Sequence, residues 1–237
     1  MRGDSISIAR ADPKQLERPP WSALTTTHAR FALSNDLARR YRPEVAPMAA
    51  LRDVSDESLR ALSVLMQSGD VIGLFGAEPV TEAPGFDVIA QKTVEQLVYD
   101  GRARLPAAEG YLQLISADVP EMMQLVELTR PGPFAARTIE LGAYIGIRSG
   151  GRLVAMAGER MRFPGFTEIS AVCTHPDYRR RGLSSQLVRI LMGNILDRGE
   201  TPFLHIFSEN GAAAALYEHL GFARRRTLTV TVLRRPN

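Results

Sequence analysis

The stretch 166–185, FTEISAVCTHPDYRRRGLSS, limits what this chain can fold into more than any other part of it. An apolar, β-branched run leads into a short loop dense in arginine. A single glycine follows, and a helical pattern opens directly after it. Such a passage requires strand and helix in one domain, with the helix packed back on the sheet it leaves. It also has a chemical consequence. A helix start leaves its first backbone N–H groups unpaired and carries the positive end of the helix dipole. With Gly182 allowing close approach and Arg179, Arg180 and Arg181 beside it, residues 179–184 form a candidate diphosphate cradle.

The elements around this passage are legible by period. In the C-terminal half the pattern predicts strands over 111–115, 143–148, 153–161, 166–174, 203–207 and 227–233, and helices over 118–128, 183–196 and 210–220. Ser149-Gly150-Gly151 marks a hairpin between two of the strands, and Gly221 closes the last helix. The first half reads as a small α/β unit. It has an apolar-periodic piece over 24–37, a helix over 56–66 with Ser55 as its cap, and a strand over 70–76. A short strand over 86–90 and an amphipathic piece over 94–98 follow. The expected organisation is a flexible tail over 1–20, a small N-terminal α/β domain over 21–106 and a second domain over 107–237.

Composition excludes more than it identifies. The lone Cys173 cannot form an intramolecular disulfide or a Cys-x-x-Cys zinc site, and the four histidines lack a His-Glu-x-x-His spacing, so no metal is expected. No stretch has the length of a membrane span and the first residues lack a signal-peptide core, so a cytoplasmic protein without a membrane partner is the expectation. The formal charge is only +3. The half from residue 108 onwards carries 16 basic and 12 acidic residues, and two arginine triplets, 179–181 and 224–226, concentrate the excess. Aromatic residues do not interleave with these arginines as base-stacking platforms would, so no nucleic acid is expected.

Two motifs about thirty residues apart carry a resemblance to a known family. Arg179-x-x-Gly182-x-Ser184 resembles the acetyl-CoA signature of the GNAT N-acetyltransferases. Asn210, Ala214-Ala215-Leu216-Tyr217 and Leu220-Gly221-Phe222 are similar to that family's late signature. The order of elements over 107–237 resembles the GNAT order, and the chain is similar to the FR47-like group, in which a smaller domain precedes the catalytic one. The resemblance implies an α/β (α+β) fold, a mixed, mostly antiparallel twisted sheet flanked by helices. It implies acetyl-CoA as cosubstrate and an amine as acceptor.

By the same resemblance, Arg179, Arg180, Arg181, Gly182, Leu183, Ser184 and Ser185 fall on the pyrophosphate loop. Ser184 stands where glycine or alanine is usual. Val172, Cys173 and Thr174 fall on the strand end whose main chain bonds the pantetheine arm, and Asn210 falls near that arm. Glu168, eleven residues before Arg179, falls where several family members keep a general base, and partial burial is expected to raise its pKa. Tyr217 falls where a tyrosine protonates the departing thiolate. The loop 129–142 is the expected site of acceptor selection.

Each of these residues also has a plain structural reading: a solvated basic turn, a strand ion pair for Glu168, a core aromatic for Tyr217. A longer acyl group, or a CoA-binding module without turnover, is an alternative to acetyl transfer. The acceptor, the role of the first half and homodimerisation stay open.

Overall fold

Ser55 accepts the Ser58 N–H through its hydroxyl, and the following residues wind into a helix with Leu59 and Leu62 buried on one face. The computed structural model describes residues 12–101 and 110–237. The first half contains α1 (Pro19–Thr25), β1 (Ala32–Ser34), β2 (Ala38–Tyr41), β3 (Met48–Leu51), α2 (Asp56–Val64), β4 (Val71–Gly76) and β5 (Asp87–Tyr99). The second contains β6 (Leu112–Gln113), α3 (Val119–Thr129), β7 (Tyr144–Ser149), β8 (Arg152–Phe163) and β9 (Phe166–Thr174). It ends with α4 (Leu183–Asp197), β10 (Thr201–Phe207), α5 (Gly211–His219) and β11 (Phe222–Arg234).

Among the described residues, eleven strands form one mixed, mostly antiparallel sheet in the order β1-β2-β3-β4-β11-β5-β10-β9-β8-β7-β6. The two expected domains therefore do not have separate sheets. β5, from the first half, lies between β10 and β11 of the second and pairs antiparallel with both. The expected boundary falls largely on 102–109, outside the described residues. Two short pieces anticipated over 86–98 are one strand, because β5 gains hydrogen-bonding partners along both edges.

Two further expectations are corrected. Of the tail anticipated over 1–20, residues 1–11 lie outside the described residues. Residues 12–20 form a short 3₁₀ turn and the start of α1, anchored by buried Leu16, Pro19 and Pro20. The arginines 224–226, just outside the strand anticipated over 227–233, lie on β11 at a bulge, where Arg224 pairs with Glu95 at 2.5 Å and Arg225 reaches Gln96.

Packing differs on the two faces of the sheet. α4 and α5 cover one, where Leu187, Leu191 and Ile195 meet Ile169 and Leu204. Each such side chain contributes about 1.5–3 kcal/mol on burial. On the opposite face Leu24 and Phe31 of the first half meet Phe163, Phe166 and Phe203. Further along that face, α3 sets Met122 and Leu125 against Tyr144, Met156 and Cys173.

A split sheet and a walled cavity

β9 and β10 are parallel neighbours over only three pairs, ending at Phe203↔Glu168. Beyond that point β9 runs six residues further and β10 four, and the strands diverge. The cause lies in β9. Its register against β8 steps from Met156↔Cys173 to Gly158↔Ser170, one extra residue in β9, and Ala171 sits there at φ 53°. A bulge of this kind bends its strand away from the neighbour. The part of β9 beyond Glu168 thus leaves the edge towards β10 without strand partners.

A cavity of about 630 Å³ occupies the gap. On the α4/α5 side, Val172, Thr174, Arg179, Ser184, Asn210 and Tyr217 line it, and Cys173 lines it from the α3 side, which brings together seven of the residues singled out from sequence. Arg180, Arg181, Gly182, Leu183 and Ser185 build the adjoining turn instead of the wall. Gly182, at φ 77°, is the residue before α4, and no side chain caps that helix, in contrast to α2 and α5. The first N–H groups of α4 are therefore left for an anion or water. Arg181 lies over the Tyr178 ring. Ser184 is hydrogen-bonded to Thr174 through the two hydroxyls at 2.9 Å, which ties the strand end to the helix start. The Asn210 side-chain oxygen caps α5 by accepting the Ala213 N–H. Burial pushes the Cys173 thiol up to about 11 and raises the Tyr217 phenol above its ordinary range, so both keep their protons at neutral pH.

Glu168 does not behave as expected. It is fully buried, outside the cavity wall, and grips the Arg160 guanidinium twice, at 2.6 and 2.7 Å. His205 Nδ1 lies 2.7 Å from the same carboxylate. Burial by itself would raise this pKa, but Arg160 and His205 outweigh it and hold the carboxyl at about 2. The expected upward shift is thus reversed: an adjacent, largely buried cation stabilises the carboxylate more than burial penalises it. Arg160 and His205 themselves reach the cavity. His205 has no sequence signal that marks it, being one residue of an apolar strand whose partner is 37 positions away.

On the face away from α4, the loop residues Thr129–Pro133 and, from the first half, Met48, Phe75 and Lys92 complete the walls. Among the described residues, no cluster of three or more metal-ligating side chains occurs, and no helix is long and apolar enough to cross a membrane.

A sheet split beside an uncapped, arginine-flanked helix start agrees with the resemblance to the CoA-dependent GNAT acyltransferases. Residues 144–231 match the model of the FR47-like protein family. A GNAT-family structure from Novosphingobium aromaticivorans DSM 12444 is 39% identical, covers 96% of this chain and 100% of its own, and superposes with a TM-score of 0.87. The chain belongs to the GNAT family of acetyltransferases. It is also 40% identical over 101 residues to the N-alpha-acetyltransferase RimI of Mycobacterium tuberculosis (strain ATCC 25618 / H37Rv), a match spanning 40% of this chain and 63% of that protein. A ribosomal protein bS18-alanine N-acetyltransferase of Salmonella typhimurium is 29% identical over 115 residues, 46% of this chain and 77% of that protein.

Proposed function

We propose that this protein transfers an acetyl group from acetyl-CoA to a primary amine by direct attack on the thioester. The observation that carries this reading is the gap between β9 and β10, which joins the uncapped start of α4 to a walled space on the other face of the sheet. In this reading the diphosphate lies against Arg179 and the first-turn N–H groups of α4, with Arg180, Arg181, Gly182, Leu183 and Ser185 shaping the turn. The pantetheine amides bond the main chain of Val172, Cys173 and Thr174 as an added strand would, beside Asn210.

Attack turns the thioester carbonyl into an oxyanion, which main-chain N–H groups near Val172–Thr174 stabilise. Tyr217, kept protonated by burial, gives its proton to the sulfur as the C–S bond breaks, and the proton shed by the attacking nitrogen restores the phenol. Glu168 is a poor direct base at a pKa of about 2, so its part here is to hold Arg160 and His205 in the wall. The amine then reacts as its neutral fraction, which grows as the pH rises towards the amine's own pKa. The relatives named as N-alpha- and alanine N-acetyltransferases support an α-amine.

Thiol release from acetyl-CoA, followed across L-amino acids, spermidine and short peptides, tests the reading. Release with at least one amine, together with saturable binding of CoA, is the expected result. Binding of CoA without release to any amine would instead mean a CoA-binding module.

A further inference from the structure

The cavity is electrically one-sided. Lys92, Arg130, Arg160 and Arg179 line it, and among the described residues no aspartate or glutamate does. Arg179 stands next to the start of α4 and is accounted for by the diphosphate. The other three lie on the opposite face of the sheet.

Register establishes that placement. Leu204 and Ile206 of β10 pack with α4 and α5, so Phe203, His205 and Phe207 point the other way. In the antiparallel pair Phe207 stands opposite Val94 and His205 opposite Gln96, and alternation along β5 puts Lys92 on the His205 face. Arg160 is bound to Glu168 and His205 on that face as well. Arg130 ends α3, which covers the same side.

Their charges are available to different degrees. Glu168 engages Arg160 through Nε and Nη2, and no described group bonds Nη1. Lys92 and Arg130 are exposed and form no ion pair among the described residues. Arg130 also adopts a left-handed backbone, φ 49°, at a helix end where glycine is the usual choice. A polyamine or a lysine-rich segment would meet only like charge here, and like-charge contacts reject a ligand strongly.

We propose that the acceptor is a small amine that also carries a carboxylate, held on the face away from α4 by Arg130 and Lys92, with Arg160 Nη1 deeper in the wall. The guanidinium fork of Arg130 suits a carboxylate geometrically, while Lys92 adds a point charge near the mouth. The cavity of about 630 Å³ must hold the pantetheine arm as well, which leaves room for a small acceptor. This rests on the acetyl-transfer reading for its chemistry and on the charge of the walls for its substrate class.

The test compares each L-amino acid with its own carboxamide, and both with spermidine, in kcat/KM for thiol release. A preference for the acid of about tenfold or more is expected, the size of one lost charge-assisted contact. The Arg130→Gln and Lys92→Gln variants, both at exposed positions, should each shrink that ratio. Equal or better turnover of the carboxamides, or a preference for spermidine, would overturn the proposal, as would an unchanged ratio in both variants. Thermal protection by N-acetyl-L-amino acids in the presence of CoA separates the two readings. If no amine releases thiol, yet the acids raise Tm more than their amides and Arg130→Gln abolishes the difference, the activity reading fails and the carboxylate site stands. If neither turnover nor protection distinguishes acid from amide, the carboxylate site is refuted.

Discussion

Arg160 and Glu168 face each other across neighbouring strands with two hydrogen bonds, 2.7 Å from Nε and 2.6 Å from Nη2, and Glu168 is completely buried. Breaking a buried pair leaves one charge desolvated and uncompensated. Glu168→Gln should therefore cost about 3–5 kcal/mol of stability, measured by urea unfolding. Replacing both partners, Arg160→Met with Glu168→Leu, should recover most of that loss. A Glu168→Gln protein of undiminished stability whose rate collapses at neutral pH would restore Glu168 to the role of base.

Acid should weaken the fold in two separate windows. Burial holds His28 neutral down to about pH 4, with Nδ1 bonded to the Tyr41 hydroxyl at 2.9 Å. Below the ordinary histidine pKa of 6.5, the unfolded chain takes up a proton that the native state refuses. Stability thus falls from pH 6.5 to about 4, by up to ~1.4 kcal/mol per pH unit. Melting curves across this range should be steep for the native chain and flatter for His28→Gln. Glu168 acts lower. Its depressed pKa adds stability above the ordinary carboxylate value, and this is lost as the pH falls from there towards about 2.

Gly158 lies directly under the Tyr144 ring, and a Cβ there would stand 2.2 Å from two ring carbons. Tyr144 is fully buried against Phe134 and cannot swing clear. Gly158→Ala should cost about 1–3 kcal/mol by overpacking, and combining it with Tyr144→Leu should return part of the loss. Equal thermal midpoints for Gly158→Ala and the parent would contradict this packing.

Tyr217→Phe keeps the ring that stacks edge-on against Phe222 and deletes only the hydroxyl. If the hydroxyl protonates the leaving thiolate, kcat should fall about 10²-fold or more while the affinity for CoA, measured by calorimetry, changes little. A loss confined to CoA affinity would assign Tyr217 to binding instead.

Much of the local structure was readable from the chain. The strand Phe166–Thr174 and the start of α4 at Leu183 follow from hydrophobic period and from Gly182, because these signals act over a few residues. The motif residues Thr174, Arg179, Ser184, Asn210 and Tyr217 do converge on one cavity. What escaped is long-range. Nothing in residues 86–98 reveals that β5 inserts between β10 and β11, since a strand buried at both edges looks like two short pieces until its partners are known.

The sequence by itself determined the element types of the second half, the arginine-flanked helix start and the resemblance to the GNAT family. These depend on local backbone preference and on short spacings. Only the tertiary structure decided the state of Glu168, the exposure of His205 to the cavity, and the cationic wall of Lys92, Arg130 and Arg160. The reason is electrostatic: a carboxylate's pKa is set by charges within a few ångströms, and here Arg160 is eight residues away and His205 thirty-seven. Folding sets those distances; spacing along the chain does not.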